Sequence, residues 1–232
     1  MARTPALYRK AMAHLRAVDP VMAHVIDRVG PITLTPRSEG THFDILIRSI
    51  VYQQLSGKAA ATIHGRVREL LTSERPIPDQ ILALDHDALR GAGLSNQKAR
   101  YVKNLAQHVL DGTLPVETLH ELTDEEIITA LTQVKGIGRW SAQMFLMFRL
   151  VRPDVLPVVD LGVQKGIQRA YGLRKLPTPQ KVTEIGAKWA PYRTLGAWYM
   201  WRVLERPEDF PAARRKAMKA KKGNQPRSAL RG

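Results

Sequence analysis

Apolar residues recur at intervals of three and four along nearly the whole chain, the period of an amphipathic helix. Residues 5–18 and 19–29 read as two short helices broken at Asp19-Pro20, with Pro20 suited to a first helical position. The stretch 30–41 is a loop of turn formers with a few strand-like residues around 31–35. A strong helix pair is predicted at 42–55 and 56–72, the second capped by Ser56. Prolines 76 and 78 punctuate the next connection, before short helices near 78–84 and 86–91 and a longer one at 95–111 capped by Ser95. Thr123 and Glu126 form a capping-box signature ahead of EEIITALTQV, and a further helix starts near Arg139. Helices at 160–171, 178–189 and 193–206 complete the pattern. The expected fold is all-α, with about ten helices, most of them short.

Composition narrows what such a fold serves. With 232 residues and 44% hydrophobic residues, the chain can bury a proper core. It has no cysteine, which removes disulfides, thiolate zinc sites, iron–sulfur clusters and a cysteine nucleophile. The first twenty residues lack the apolar core of a secretory signal, and no apolar run approaches a membrane span, so the expectation is a cytoplasmic protein with no membrane partner, associated with the nucleoid if bacterial. The formal net charge is +15. Residues 211–232 hold eight basic residues and no acid, reading as a flexible basic tail of +8 that leaves +7 on residues 1–210. That excess favours an anionic partner, with nucleic acid foremost.

The most informative segment is LTQVKGIGRW, 131–140. A helix ends at Val134, the turn Lys135-Gly136-Ile137-Gly138 reverses the chain, and SAQMFLMFRL continues as helix. Glycines let the backbone turn tightly and approach a ligand, and the amides opening the second helix form a natural phosphate site. Lys135 and Arg139 flank it with positive charge. Such a unit holds a nucleic-acid backbone without reading sequence. A plain glycine-turned helical hairpin is the competing reading.

The segments VKGIGRWSAQMF and RPDVLPVVDLGVQKGI resemble the helix-hairpin-helix DNA glycosylases, and within them the 3-methyladenine (alkylbase) glycosylase II type. SIVYQQLSGKAAATI at 49–63, GLSNQKARYV at 93–102 and PYRTLGAWYMW at 191–201 match other segments of that family in order, from about residue 40 to 205. The resemblance implies a compact two-lobed fold over residues 1–210, with the active site in the cleft between the lobes. It implies one essential aspartate, Asp160, 22 residues beyond Gly138. A carboxylate there starts a helix, at the positive end of its dipole. It would stabilise the sugar cation that forms as an N-glycosidic bond breaks. A helix N-cap is the ordinary alternative for Asp160.

Other roles are implied by the same resemblance. Bifunctional relatives carry a Schiff-base lysine at the position of Trp140, so a monofunctional enzyme that leaves an abasic site is expected. Trp140 and Trp201 would stack on a flipped cationic base, with Met144, Gln53 and Tyr52 also lining the pocket. Met144 stands where close relatives can have tyrosine, which implies a roomier or differently shaped pocket. Gln54, or Leu55 if the register slips, would wedge into the gap left by the flipped nucleotide. The main-chain carbonyls of Thr132, Val134 and Ile137 would hold a structural Na+ or K+. No cofactor is expected for the chemistry. The implied partner is double-stranded DNA with a damaged base, bound by a monomer, and the implied substrates are 3-methyladenine and 7-methylguanine. Excision of uracil, hypoxanthine or a mismatched base, or a non-catalytic DNA-binding module, are the alternatives.

Overall fold

The computed structural model describes residues 3–37, 39–73 and 75–210. Among the described residues there are twelve α-helices, two 3₁₀ turns and no strand, where the pattern gave about ten helices. The basic segment 211–232 lies outside the described residues.

Helices α1 (Arg3–Val18) and α2 (Pro20–Val29) meet at Asp19, whose Oδ1 caps α2 by accepting from Val21 N at 2.9 Å. The segment after Gly30 is extended but pairs with no strand. Its Leu34 carbonyl accepts from the Tyr8 hydroxyl at 2.7 Å, and the Gly30 carbonyl from the Tyr199 hydroxyl at 3.0 Å. Tertiary side-chain bonds thus satisfy backbone groups that a sheet would otherwise pair. Helices α3 (His42–Tyr52) and α4 (Gly57–Glu69) follow, with Ser56 capping α4 as expected. α3 stops three residues before the expected end because Gln54 takes a left-handed conformation, φ 56°.

Helices α5 (Pro78–Ala83) and α6 (His86–Gly91) both pack on α7 (Asn96–Leu110), which also packs on α3. After a 3₁₀ turn at Leu119–Glu121, α8 (Asp124–Thr132) begins with a complete Thr123–Glu126 capping box and pairs with α9 (Arg139–Phe148). The last helices are α10 (Leu161–Ala170), α11 (Pro179–Gly186) and α12 (Arg193–Glu205), with a 3₁₀ turn at Ala187–Trp189 before α12.

Contacts fall into two groups. One holds α3 to α7; the other joins α10 to α12 and α12 to α2 and α1. A Cβ on Gly166 would stand 2.2 Å from the Met200 carbonyl oxygen, so α10 reaches α12 this closely only with glycine there. A single apolar core runs through both groups, from Leu15 and Ile26 through Ile47 and Leu105 to Leu146, Trp189 and Met200.

At the edge of that core Asp19 is fully buried. Its Oδ2 accepts from Tyr171 Oη, from Trp189 Nε1 at 3.1 Å and from Lys188 Nζ at 3.1 Å. A buried carboxylate is tolerated only with such a set of donors. The network ties the start of α2 to the end of α10 and to the 3₁₀ turn at Ala187–Trp189. His64 is buried as well, with Nε2 3.2 Å from Asp44 Oδ1, tying α4 to α3.

Candidate active site

Asp160 opens α10 and does what an N-cap does: its Oδ1 accepts from Val163 N at 2.7 Å. It also does more. Two indole N–H groups converge on the same carboxylate, Trp201 on Oδ1 at 2.9 Å and Trp140 on Oδ2 at 2.8 Å. The three donors come from α10, α12 and α9 and fix the carboxylate in orientation. Asp160 is 9% exposed while Trp140 is 45% exposed, so the carboxylate sits just beneath an open indole at the surface.

Trp201 is itself held. Phe148 stacks on it with centroids 5.7 Å apart and planes 22° from parallel, and the Arg37 guanidinium lies 5.6 Å from the Phe148 ring centre. Gly162 leaves room for it, since a Cβ there would come within 2.7 Å of Trp201 Cδ1 and 3.0 Å of Asp160 Oδ1. Met144 packs beside Phe148 and Ser49 around a cavity of about 20 Å³. That is room for about one water. Tyr52 lies under Arg48, whose guanidinium carbon is 4.3 Å from its ring centre.

The hairpin between α8 and α9 lies against the same surface. Gly136 has φ 90°, and a Cβ there would stand 2.1 Å from Tyr101 Cδ2, so both conformation and space require glycine. Gly138 differs. Its φ is −94°, and a Cβ would meet nothing within 4 Å. Nothing inside the protein demands glycine at 138; the space above it is open to a ligand. Gly138 is the N-cap of α9 and supplies no side-chain cap, which leaves the first-turn amides facing outward. Lys135 is exposed beside them, whereas Ile137 is buried in the core and anchors the turn through its N–H to the Val134 carbonyl at 3.0 Å.

Two further candidates are engaged within the protein, and a third is exposed. Arg139 is engaged by Glu125 in a two-pronged pair at 2.6 and 3.1 Å, an acid on α8 that the sequence pattern gave no reason to single out. Gln53 does not line a pocket with a free amide; its Nε2 donates to the Gly136 carbonyl at 2.7 Å. Gln54 is exposed at the tip of the turn in its left-handed conformation, with Leu55 beside it at 40% exposure. The carbonyl of Val134 already accepts one hydrogen bond and keeps a lone pair. Among the described residues no cluster of histidines and acids could hold a metal, and no helix is long and apolar enough to cross a membrane.

Phe148, Lys98, Tyr101 and Asn104 also belong to this region and were absent from the sequence-derived candidates. Only Lys98 left a local signal: a lysine in the first turn of α7 opposes the helix dipole, so something outside the helix must favour it.

Comparison with known proteins places this geometry. The chain is 35% identical over 197 residues to DNA-3-methyladenine glycosylase 1 of Schizosaccharomyces pombe, covering 84% of this chain and 86% of that one. It is 31% identical over 169 residues to a putative DNA-3-methyladenine glycosylase, YfjP, of Bacillus subtilis, covering 70% and 59%. In structure it is similar to the Schizosaccharomyces pombe 3-methyladenine DNA glycosylase in complex with abasic DNA, with a TM-score of 0.73 at 35% identity over 83% of this chain and 95% of that one. It is similar also to a DNA-3-methyladenine glycosidase from Bacillus halodurans, with a TM-score of 0.79 at 35% identity over 88% and 93%. The family description "HhH-GPD superfamily base excision DNA repair protein" matches residues 47–192, a span that contains the turn at Gln53–Leu55, the hairpin and Asp160. The carboxylate under two indoles and the glycine hairpin both lie within that span, and the chain belongs to the HhH-GPD superfamily of base excision DNA repair proteins.

Proposed function

We propose that the protein is a monofunctional DNA N-glycosylase that removes alkylated purines, 3-methyladenine and 7-methylguanine in type, and leaves an abasic site. The observation that carries this reading is the Asp160 carboxylate, held by Val163 N, Trp140 Nε1 and Trp201 Nε1 next to the open amides of the α8–α9 hairpin. The partner is double-stranded DNA with a damaged base, engaged by a monomer in the compartment that holds the DNA.

In this reading the first-turn amides of α9 receive a backbone phosphate over Gly138, with Lys135 beside it. Arg139 joins them by exchanging Glu125 for phosphate, since an exposed ion pair is worth little and yields to a stronger anion. A Na+ or K+ on the carbonyls of Thr132, Val134 and Ile137 would add positive charge at the same turn. Gln54, with Leu55 next to it, fills the step vacated by the flipped nucleotide. A strained non-glycine residue at such a tip is what a wedge requires.

The flipped base stacks beside Trp140 and Trp201, bounded by Met144 and Tyr52. The C1′–N bond then breaks with its electron pair going to the base. An alkylated purine is already cationic, so it leaves neutral and needs no general acid. Positive charge develops at C1′ and the ring oxygen, where Asp160 stabilises it. Water adds at C1′ and loses a proton, giving the hydroxyl of the abasic product. Trp140 offers no amine for a Schiff base, so the strand stays intact.

Mass analysis of bases released from methylated duplex DNA tests the reading. Release of 3-methyladenine and 7-methylguanine by the wild type, and none by Asp160→Asn, is the expected result. Release only of uracil or hypoxanthine from a lesion panel would replace the substrate while keeping the mechanism. Tight DNA binding with no base released from any duplex would leave a binding module.

A further inference from the structure

The wedge turn at Gln53–Leu55 and the phosphate turn at Lys135–Gly138 are about eighty residues apart in sequence, yet one face of α7 holds both. Lys98 Nζ donates to the carbonyls of Val51 at 2.7 Å, in the last turn of α3, and Gln53 at 2.6 Å, its C-cap, just before the left-handed Gln54. Next along α7, the Tyr101 ring fills the space a Cβ of Gly136 would need. Next again, Asn104 Oδ1 accepts from Lys135 N at 2.8 Å. Residues spaced by three lie along one helix stripe, so these contacts form a line. Gln53 Nε2 closes the frame by donating to the Gly136 carbonyl.

The partners of this stripe are parts of the two turns, most of them main-chain atoms, and Asp160 is not one of them. Lys98 stands against the dipole of its own helix, and Gln54 keeps a sparsely populated conformation. Both persist only where surrounding structure over-determines them. A duplex bound at both turns presents its phosphate and its vacated base step at a fixed separation. A frame that sets the distance between the turns therefore decides whether both are engaged at once.

We propose that Lys98, Tyr101 and Asn104 are positioning residues that hold the wedge turn and the phosphate turn at the spacing needed to keep a nucleotide flipped out. The proposal rests on the reading of Gln54 as the wedge.

The test uses the full chain and a duplex carrying 2-aminopurine beside an abasic-site analogue, where fluorescence rises as stacking is lost. In Lys98→Met the rise on binding is expected to disappear while duplex affinity stays within about threefold of wild type, a small change on the affinity scale. Single-turnover release of an alkylated base should fall about 100-fold from duplex, the scale of a misplaced contact, and much less from a single strand, which needs no flipping. Lys98→Arg, which keeps donors for both carbonyls, should restore the rise. Asn104→Ala provides a second variant should Lys98→Met fail to fold, with the same selective pattern expected. An unchanged fluorescence rise in both variants, or equal losses on duplex and single strand, would overturn the proposal. Failure of the glycosylase reading looks different: the wild type would release no base, and the fluorescence comparison would still decide the role of the stripe.

Discussion

Trp140 donates its indole N–H to Asp160 Oδ2 at 2.8 Å, linking the first turn of α9 to the cap of α10. The contact joins the end of the hairpin to the Asp160 carboxylate through one rigid side chain. Under the proposed function, positioning of the strand and of the charge that meets its sugar would be mechanically connected.

Replacing Asp160 by asparagine keeps the shape but sets an amide against N–H donors and removes the charge. Base release is expected to fall by about 10³-fold or more, the range seen when a catalytic group is lost. Affinity for an abasic-site analogue should remain close to wild type. Trp140→Phe keeps the ring and loses one charge-assisted hydrogen bond, for a loss of about 10–100-fold in single-turnover rate. Borohydride should trap no covalent DNA adduct with the wild type, and the product strand should stay uncut until alkali is added.

Gly138→Asp separates ligand binding from folding. A side chain at 138 meets open space and ordinary φ, so the melting temperature should change little. The added carboxylate would face the phosphate, so duplex affinity should drop about tenfold or more at low salt, with a shallower salt dependence. Gly136→Ala gives the contrast: it collides with Tyr101 in a left-handed turn and should lower the melting temperature itself.

Acid should destabilise the fold through two buried carboxylates. Burial pushes the Asp19 carboxyl up, but hydrogen bonds from Tyr171, Trp189 and Lys188 outweigh it and hold the group below the ordinary 3.8. Asp44 is held below 3.8 by the hydrogen bond from His64, against an opposing effect of burial. Folded values below the unfolded ones mean stability that is fully present above 3.8 and lost as the pH falls through the folded values. Urea midpoints measured from about pH 6 down to about pH 3 should fall steeply for the wild type and less steeply for Asp44→Asn.

The +8 of residues 211–232 predicts a purely electrostatic contribution. Removing the segment should weaken duplex binding at moderate salt and reduce the slope of log affinity against log salt. Single-turnover release at saturating protein should be unchanged.

Much of the fold was legible because helix signals are local. Ser56, Ser95, Thr123 and Thr178 cap the helices that their positions in sequence announced. The end of α3 was misplaced because a left-handed Gln54 is stabilised by Lys98, a contact made 45 residues away from Gln53 and invisible to any local window. The site divided in the same way. Glycine spacing and flanking charge pointed to the hairpin, and the family resemblance pointed to Asp160. Arg139's engagement with Glu125, Phe148 stacked on Trp201 and Gln53 turned onto Gly136 were not legible, since each depends on which helices meet.

The sequence by itself determined the helical periodicity, the caps, the glycine turn, the charge and the residue types able to carry the chemistry. All of these follow from interactions within a few residues or from composition. Only the tertiary structure decided that two tryptophans 61 positions apart donate to one carboxylate, and that one stripe of α7 holds two distant turns. Hydrogen bonds and ring contacts are directional and act over a few ångströms. Which groups come within that reach is fixed when the whole core packs, not by spacing along the chain.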